Sequence, residues 1–270
     1  MKTLGPVGAK LVNTLYEKEK EIFTFKDVTE ILGKKTGANE ALVSSLVKQN
    51  IIARLKRGKY IIIPQKYGIM EKYTGNRYVA AKEIAVSPDY YIAFYSAMEF
   101  WGMLTQPLLT TFVAVPKRQQ APKGLRKQFK FVFVKRENIW GISVQAAEAG
   151  NTIRVSDREK TIIDALAHPE YCGGITEIAK GMWLVKEKTD HAKMAEYALR
   201  YGKNAVIKRL GYLLETLSVC NGEITDILKK KINERYDILD PSAARVLTAK
   251  NSWHLIDNVN PERIKKVIWS

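Results

Sequence analysis

The chain has 270 residues, of which 46% are hydrophobic and 27% charged, a composition that excludes a disordered protein. Lys and Arg number 44 against 28 Asp and Glu, and the net charge of +16 favours a polyanionic partner such as nucleic acid. No apolar run reaches the roughly 18 residues that a membrane-spanning helix needs, and we predict no signal peptide. Cys172 and Cys220 are too few for a disulfide framework or a complete metal site, so we expect free thiols in a reducing cytoplasm.

Residues 4–66 predict three short helices. Apolar residues recur at helical spacing in VGAKLVNTLYEKEK, in FTFKDVTEILG and in KKTGANEALVSSLVKQN. Thr24 or Phe25 is expected to begin the second helix, and Gly33 to end it. The apolar positions of all three stretches would form one small core.

A basic β-hairpin is predicted after the third helix, in IIARLKRGKYIIIP. β-Prone residues flank Gly58, which permits a tight turn, and Pro64 ends the run. Three helices followed by a basic hairpin is the order of a winged helix-turn-helix. In that arrangement the third helix enters the major groove of DNA, and the hairpin lies on the flanking backbone. Residues 34–66 contain eight Lys and Arg and one acidic residue, Glu40, which agrees with this interpretation.

The predicted DNA contacts come from the third helix and the hairpin. Polar side chains on the outer face of the helix are able to bond base edges or phosphates, and the hairpin cations are placed for phosphates or a minor groove. A surface of solvated charges without a ligand is the alternative. The predicted DNA-binding residues are Lys34, Lys35, Asn39, Ser44, Ser45, Lys48, Gln49, Arg54, Lys56, Arg57 and Lys59.

The rest of the chain predicts a larger mixed α/β domain with a small sheet and a helical C-terminal part. TTFVAVP, FKFVFVKR and IRVSD have the length and composition of strands, and a helix with Ser96 as its cap lies before them. From Thr176 onward the apolar spacing is helical. We therefore predict an α+β protein, with a winged helix-turn-helix domain at residues 1–66 and a second domain at residues 67–270.

A second candidate polyanion surface lies between the first two of these strands. Residues 117–136 contain eight Lys and Arg and no Asp or Glu. A solvated loop is the ordinary explanation of such a block, but beside a sheet it is also able to hold a polyanion. The residues of this candidate surface are Lys117, Arg118, Lys123, Arg126, Lys127 and Lys130.

The stretch RVSDREKTIIDALAHPEYCGG is rich in side chains that carry chemistry, but its spacing predicts a capped helix. Ser156 and Glu159 form an S-x-x-E capping box, and we expect Lys160 and Asp164 to pair on the surface. The three histidines of the chain are scattered, and no grouping has metal-ligand spacing. We therefore predict no catalytic residue, no metal and no cofactor, and hence no enzyme.

Three stretches resemble the sequence blocks of the AbiEi-type antitoxins, in the right order and over nearly the whole chain. They are YYIAFYSAMEFWGML, VSDREKTIIDALAHPEYCGGITEI and YGKNAVIKRLGYLLE. The signals are S-A-x-x-x-x-G at Ser96, Ala97 and Gly102, E-K-T-x-x-D at Glu159, Lys160, Thr161 and Asp164, and R-L-G-Y-L-L-E at Arg209 to Glu215.

The resemblance implies a winged helix followed by a C-terminal α/β domain. It also implies a transcription factor that represses its own two-gene operon by binding inverted repeats in double-stranded operator DNA. Such a protein neutralises a co-encoded nucleotidyltransferase-like toxin, and whether it binds the toxin directly stays open. The operator sequence and the oligomeric state are not implied.

An alternative is a nucleic-acid-processing enzyme or RNA-binding protein with a helix-turn-helix targeting module. It would need a cluster of acidic metal ligands or an aromatic stacking face. The acidic residues near Glu159 are explained by the predicted capping box, and the aromatic residues between Tyr90 and Trp101 have the spacing of a core. A weaker alternative is a scaffold that holds an acidic protein on its positive surface.

Overall fold

The computed structural model describes residues 4–33, 36–63, 77–122, 125–147, 150–220, 222–244 and 249–266. Its N-terminal part contains α1 (Pro6–Glu17), β1 (Ile22–Thr24), α2 (Phe25–Leu32), α3 (Thr36–Lys48), β2 (Ile52–Lys56) and β3 (Lys59–Ile62). These strands form an antiparallel sheet in the order β1-β3-β2. The predicted winged helix-turn-helix is confirmed. We call the described residues between 4 and 63 the winged-helix module, and its β2–β3 hairpin the wing.

Helix α2 begins and ends at residues that the sequence predicts. Thr24 accepts a hydrogen bond from the Asp27 amide through its side chain at 3.3 Å, and the Asp27 carboxylate accepts one from the Thr24 amide at 2.6 Å. This reciprocal pair is a capping box. Partial burial raises the pKa of Asp27, but hydrogen bonds from Lys20 and Thr24 outweigh burial and lower it to about 2. Gly33 ends the helix with φ +85°.

Strand β1 is an element that the sequence does not predict. Ile22 pairs with Ile61 and Thr24 with Lys59, so β1 adds a third strand beside the wing. Three residues are too few to show an alternating pattern, and their β conformation is imposed by pairing with a partner almost forty positions away.

The sheet of the winged-helix module is covered on both faces. Ile52 and Tyr60 point toward α1, α2 and α3 and lie in the core of the module. Leu55 and Ile61 point the other way, and they pack in a second core with helix α4 (Arg77–Ile84). The module therefore shares an apolar core with the rest of the chain. The predicted boundary after residue 66 lies outside the described residues.

A five-stranded mixed sheet forms the centre of the second part. Its strands are β4 (Tyr91–Ile92), β5 (Thr111–Val115), β6 (Phe129–Phe133), β7 (Ile142–Ala146) and β8 (Thr152–Ser156), in the order β6-β5-β4-β8-β7. Strand β6 runs parallel to β5, and β8 runs parallel to β4. The predictions of β5, β6 and β8 are confirmed, whereas β4 and β7 are not predicted. One face of this sheet packs on helix α4, and the opposite face packs on other helices of the second part.

Helices form most of the remaining chain, as the sequence predicts. They are α5 (Phe94–Phe100), α6 (Arg158–Ala167), α7 (Ile175–Leu184), α8 (His191–Tyr201), α9 (Asn204–Leu217), α10 (Gly222–Lys229) and α11 (Pro261–Lys265). A second small sheet, in the order β10-β11-β9, contains β9 (Asp237–Ile238), β10 (Ala249–Lys250) and β11 (Leu255–Asp257). The predicted α+β class is confirmed. The described helices include none with the length and apolarity needed to cross a bilayer.

Two predicted helix caps are wrong. Asp157 caps α6 by accepting a hydrogen bond from the Lys160 amide at 2.8 Å. Ser156 is the last residue of β8, and its hydroxyl is buried 2.7 Å from that of Thr161. Ser96 does not cap α5 but lies inside it, where its hydroxyl accepts a hydrogen bond from the Phe112 amide at 2.8 Å. Both serines join a strand to a helix, a tertiary role that local spacing does not reveal.

The predicted surface pair of Lys160 and Asp164 is also wrong, because both side chains are buried. They are 0% and 3% exposed, and they form an ion pair inside the core. The Tyr91 hydroxyl donates to the Asp164 carboxylate at 3.1 Å, and the Lys160 ammonium lies 4.7 Å from the centre of the Trp140 ring. Burial and the Asp164 charge raise the pKa of Tyr91. A buried pair of this kind is tolerated because neighbouring groups replace its solvation.

The R-L-G-Y-L-L-E signal connects α9 to the C-terminal residues. The buried Arg209 guanidinium donates to the carbonyl oxygens of Leu166, Ile238 and Leu239 at 2.7, 2.9 and 2.9 Å. Trp253 is 1% exposed and donates from Nε1 to the Glu215 carboxylate at 2.6 Å. The stretch after Cys220, for which the sequence indicates no role, therefore covers α9.

A substitution at Gly211 tests the packing of Trp253 on α9. A Cβ at this position would overlap the six-membered ring of Trp253. We expect Gly211→Ala to destabilise the protein by roughly 1–3 kcal/mol, since a rigid buried indole has to move. Gly222→Ala is the control, because nothing lies within 4 Å of that position. Urea unfolding measures both changes. The cost of Gly211→Ala should shrink in a Trp253→Phe background, and an equal cost in both backgrounds contradicts this contact.

The Asp27 capping box predicts a pH dependence of stability. The folded pKa of about 2 is below the ordinary value of about 3.9, so the stabilisation is complete above pH 4 and is lost as pH falls toward 2. We expect Asp27→Asn to cost about 1 kcal/mol at pH 7, and the gap to narrow as pH falls from 5 to 2. Urea unfolding across this range, with Asp226→Asn on α10 as the control, measures it. A gap that persists at pH 2 would rule out this role for the carboxylate.

Candidate nucleic-acid interface

Helix α3 presents a polar outer face with few charges. Glu40, Ser44 and Lys48 are exposed, and Ser45 is partly buried. The Gln49 amide donates to the Ser45 hydroxyl at 3.0 Å, so these two predicted contacts lie together on the last turns of the helix. Val43 and Leu46 fix the opposite side of the helix in the core of the module. The exposed face thus offers hydroxyl and amide groups that are able to bond bases, with a cation at its C-terminal end.

Asn39 does not lie on the outer face of α3, where the sequence places it. It is 4% exposed, and its side-chain amide donates to the Gly33 carbonyl at 2.9 Å. Because Gly33 ends α2, this hydrogen bond fixes the start of α3 relative to α2. Asn39 therefore has a structural contact that spacing alone does not predict.

The wing carries two exposed arginines, Arg54 in strand β2 and Arg57 in the turn. Arg54 pairs with Tyr60 across the sheet and lies on the face that packs against the helices of the module. Arg57 lies in the two-residue turn beside Gly58, which has φ +72° as the predicted tight turn requires. The Gly58 carbonyl accepts a hydrogen bond from the Phe25 amide at 3.0 Å, so the turn is anchored to the start of α2.

Three exposed cations of this surface have no acidic partner in the described part of the chain. Lys48, Arg54 and Arg57 are exposed, and none of them forms an ion pair with a described residue. A cation without a protein partner keeps its full attraction for an external phosphate. These side chains are therefore the cations of α3 and the wing best suited to hold a polyanion.

Lys56 and Lys59 differ from the arginines, because both contact Glu83 of helix α4. The Lys56 ammonium is 3.5 Å from the Glu83 carboxylate, and Lys59 pairs with the same oxygen. Burial raises the pKa of Glu83, but the hydrogen bond and charge of Lys59, followed by those of Lys56, outweigh it, and the net pKa is lowered. One carboxylate thus offsets part of the positive charge of the wing and attaches the wing to α4.

The second candidate surface lies at the free edge of the five-stranded sheet, where β6 is the outer strand. Arg126 and Lys127 precede this strand, and Lys117 and Arg118 follow its neighbour β5. All four are exposed, as is Lys130 within β6. The Lys130 ammonium lies 4.5 Å from the centre of the Tyr171 ring, and the Arg118 guanidinium lies 5.6 Å from that of Phe133. Because β5 and β6 run parallel, Lys117 and Arg118 lie beyond one end of this strand pair and Arg126 and Lys127 beyond the other, so the predicted residues do not form one compact cluster.

Three predicted site residues, Lys34, Lys35 and Lys123, lie outside the described residues. Two residues that matter for the geometry are not predicted at all, namely Glu83 and Gln119. The contacts of Glu83 come from the wing, 24 and 27 positions earlier in the chain. No local pattern marks such a long-range contact, so only the fold reveals it.

The acidic residues at the start of the E-K-T-x-x-D signal and just before it have structural partners. The Lys193 ammonium lies 3.1 Å from the Asp157 carboxylate and 2.9 Å from that of Glu159, which joins α8 to the start of α6. Partial burial raises the pKa of Glu159, but hydrogen bonds from Lys193 and the Asp190 amide outweigh burial and lower it. Across the described residues, no three His, Cys, Asp or Glu side chains come close enough to hold a metal ion.

Comparison with known proteins supports a regulatory protein. Residues 11–63, which lie within the winged-helix module, match the family model described as "Transcriptional regulator, AbiEi antitoxin". No curated protein matches the sequence. The fold is similar to the crystal structure of the RV2827C protein from Mycobacterium tuberculosis, with a TM-score of 0.70 and 13% identity over 100% of this chain and 97% of that one.

The likeness to the mycobacterial structure concerns the fold alone, and it extends over both parts of the chain. The family match covers the module that contains α3 and the wing. It supports an antitoxin and transcriptional regulator, a class of regulators rather than enzymes. The predicted resemblance is thus confirmed for residues 11–63, which match the model of the AbiEi antitoxin transcriptional regulators.

Proposed function

We propose that this protein is a cytoplasmic antitoxin and a DNA-binding autorepressor of a toxin–antitoxin operon. In this proposal residues 1–66 bind inverted repeats in double-stranded operator DNA. Residues 67–270 neutralise a nucleotidyltransferase-like toxin encoded in the same operon. The family match at residues 11–63 supports the regulatory role, and the resemblance of the later sequence blocks to AbiEi-type antitoxins motivates the role against a toxin.

The observation that carries the DNA-binding part is a winged helix in which Lys48, Arg54 and Arg57 form no ion pair with any residue that the structure describes. Helices of this type place their outer face in the major groove, and the hairpin follows the backbone beside it. Ser44 is exposed in the middle of the face that would enter the groove, and Lys48 lies at its end. The arginines of the wing would then neutralise phosphates, while the helix contacts bases.

The overall charge supports the same partner. A net charge of +16 attracts DNA from a distance and accelerates association at low ionic strength. Charge alone gives no sequence preference, because phosphate contacts are the same along any duplex. We therefore assign the preference for an operator mainly to α3 and the residue after it, where Ser44, Ser45 and Gln49 offer hydrogen-bonding groups.

Replacing both wing arginines tests the proposed DNA interface. We expect Arg54→Ala combined with Arg57→Ala to weaken binding to duplex DNA from upstream of the gene. The slope of log affinity against log salt should fall by about one for each phosphate that the variant no longer neutralises. Fluorescence anisotropy on a labelled duplex between about 50 and 200 mM salt measures this change.

The matched control is Lys230→Ala with Lys231→Ala, which removes the same charge from an exposed site after α10. The control should bind DNA almost as the unchanged protein does. If both double variants weaken binding equally, net charge rather than the wing is responsible, and the proposed interface is wrong. Point variants are preferable to removal of the module, because removal would expose the part of the shared core that lies under Leu55 and Ile61.

Glu83→Gln tests the effect of the carboxylate on the wing. The change leaves Lys56 and Lys59 free to meet phosphates, so we expect affinity for DNA to rise about fivefold near 0.1 M salt and the salt slope to steepen. A unit charge a few ångströms from a phosphate interacts with it by about 1 kcal/mol in a watery environment. Anisotropy titrations over a salt series measure both quantities.

Glu262→Gln on α11 is the matched control, because Glu262 is also paired with a lysine, Lys265, at 3.3 Å. It should leave the affinity and the salt slope unchanged. Tighter binding for Glu83→Gln alone would show that the carboxylate opposes DNA. Equal affinities for Glu83→Gln and the unchanged protein would mean that Lys56 and Lys59 do not face the duplex.

A further inference from the structure

The loop that carries Lys117 and Arg118 is attached to the C-terminal end of helix α4. The Gln119 side chain accepts a hydrogen bond from the Val86 amide at 3.0 Å and donates to the Ile84 carbonyl at 3.4 Å. This bidentate contact fixes the middle of the loop on the main chain of another element. Lys117 and Arg118, directly before Gln119, are exposed.

The wing is attached to the same end of α4. Glu83, which contacts Lys56 and Lys59, directly precedes Ile84, which contacts Gln119. Neighbouring Cα atoms are about 3.8 Å apart, so the wing and the loop meet α4 at adjacent positions. Leu55 of the wing also lies in the same apolar core as Ala121 and Leu125, which follow Gln119 in the connection between β5 and β6. The wing and the loop are thus held side by side by one rigid element.

The two exposed cations of the loop are available to a ligand. Within the described ranges, Lys117 and Arg118 form no ion pair, whereas Lys135 and Arg136 further along contact Glu137 and Asp89. The Arg118 guanidinium rests over the Phe133 ring, which limits its freedom without neutralising its charge. A partly ordered cation loses less entropy when it binds an anion.

We propose that Lys117, Arg118 and the wing form one continuous phosphate-binding surface, and that the loop contacts the operator duplex beyond the half-site held by α3 and the wing. This inference rests on the proposed function. Duplex DNA is favoured over an acidic protein because the loop adjoins the wing, where the backbone of the duplex would pass. A duplex carries a phosphate about every 3.4 Å along each strand, so the charge that meets the wing continues to the loop.

The experiment compares two duplexes made from the DNA upstream of the gene. The minimal duplex is truncated to a single half-site of the inverted repeat, and the extended duplex adds one helical turn, about 10 base pairs, on each side. The full-length protein, Lys117→Ala with Arg118→Ala, and the Lys230→Ala and Lys231→Ala control are titrated against both. Thermal unfolding verifies that the variants are folded, and Lys117→Arg with Arg118→Lys should retain binding because it preserves the charge.

We expect Lys117→Ala with Arg118→Ala to weaken binding to the extended duplex about tenfold and to reduce its salt slope by about one to two. Its affinity for the minimal duplex should be unchanged, and the control should match the unchanged protein on both. An equal loss on both duplexes, or no loss on the extended one, overturns the proposal. Loss of toxin neutralisation with unchanged DNA binding also overturns it, because the loop would then face a protein.

The outcome separates this inference from the proposed function. If the unchanged protein binds neither duplex, the proposed DNA-binding function fails. If it binds both, and Arg54→Ala with Arg57→Ala weakens both while the loop variant weakens neither, only the extended surface fails.

Discussion

Helix α4 is packed between two sheets, and the positions of the wing and of the loop with Lys117 and Arg118 depend on that packing. Leu55 and Ile61 of the wing cover one side of the helix, and Val113 and Val155 of the five-stranded sheet belong to the same apolar layer. Ala80 and Ala81 are fully buried between them. Small residues at these positions allow close approach of both sheets, and well-packed layers of this kind resist sliding. The sheet that carries the wing is therefore one layer of a packed core, and the wing is not a free arm.

The rigid attachment of the wing favours the binding of phosphates in the proposed function. Its turn is anchored to α2 through Gly58 and Phe25, and its lysines contact Glu83. A preorganised surface loses little conformational entropy on binding, so more of the phosphate attraction appears as affinity. The same rigid packing determines which cations of the wing have an acidic partner among the described residues. Arg54 lies on the sheet face opposite α4 and Arg57 lies in the turn, whereas the ammonium groups of Lys56 and Lys59 are shared with a carboxylate of α4.

The sequence predicts the elements whose signals are local. Apolar spacing indicates α1, α2 and α3, Thr24 and Gly33 delimit α2, and Gly58 indicates the turn of the wing. It does not predict β1, β4 or β7, because short strands are stabilised by pairing with distant residues. Side-chain positions are predicted less well than elements.

The errors of sequence interpretation share one physical cause. Asn39, Ser156 and the pair of Lys160 and Asp164 are polar, and polar residues are expected on a surface. Each is instead buried, with a partner that its position in the sequence does not reveal. The candidate site suffers from the same limit. Its cations can be predicted from composition, but their division into paired and unpaired groups depends on Glu83, a residue of another element.

In the proposed function, a fixed cationic wing and α3 hold a phosphate backbone at a preferred sequence. The most direct test is the affinity of the unchanged protein for its own upstream duplex and for a scrambled duplex across a salt series. We predict a log–log slope of about −3 or steeper, since at least three free cations meet phosphates, and tighter binding to the upstream duplex at every salt concentration. Affinity that does not change with salt, or equal affinity for the two duplexes, would contradict the account.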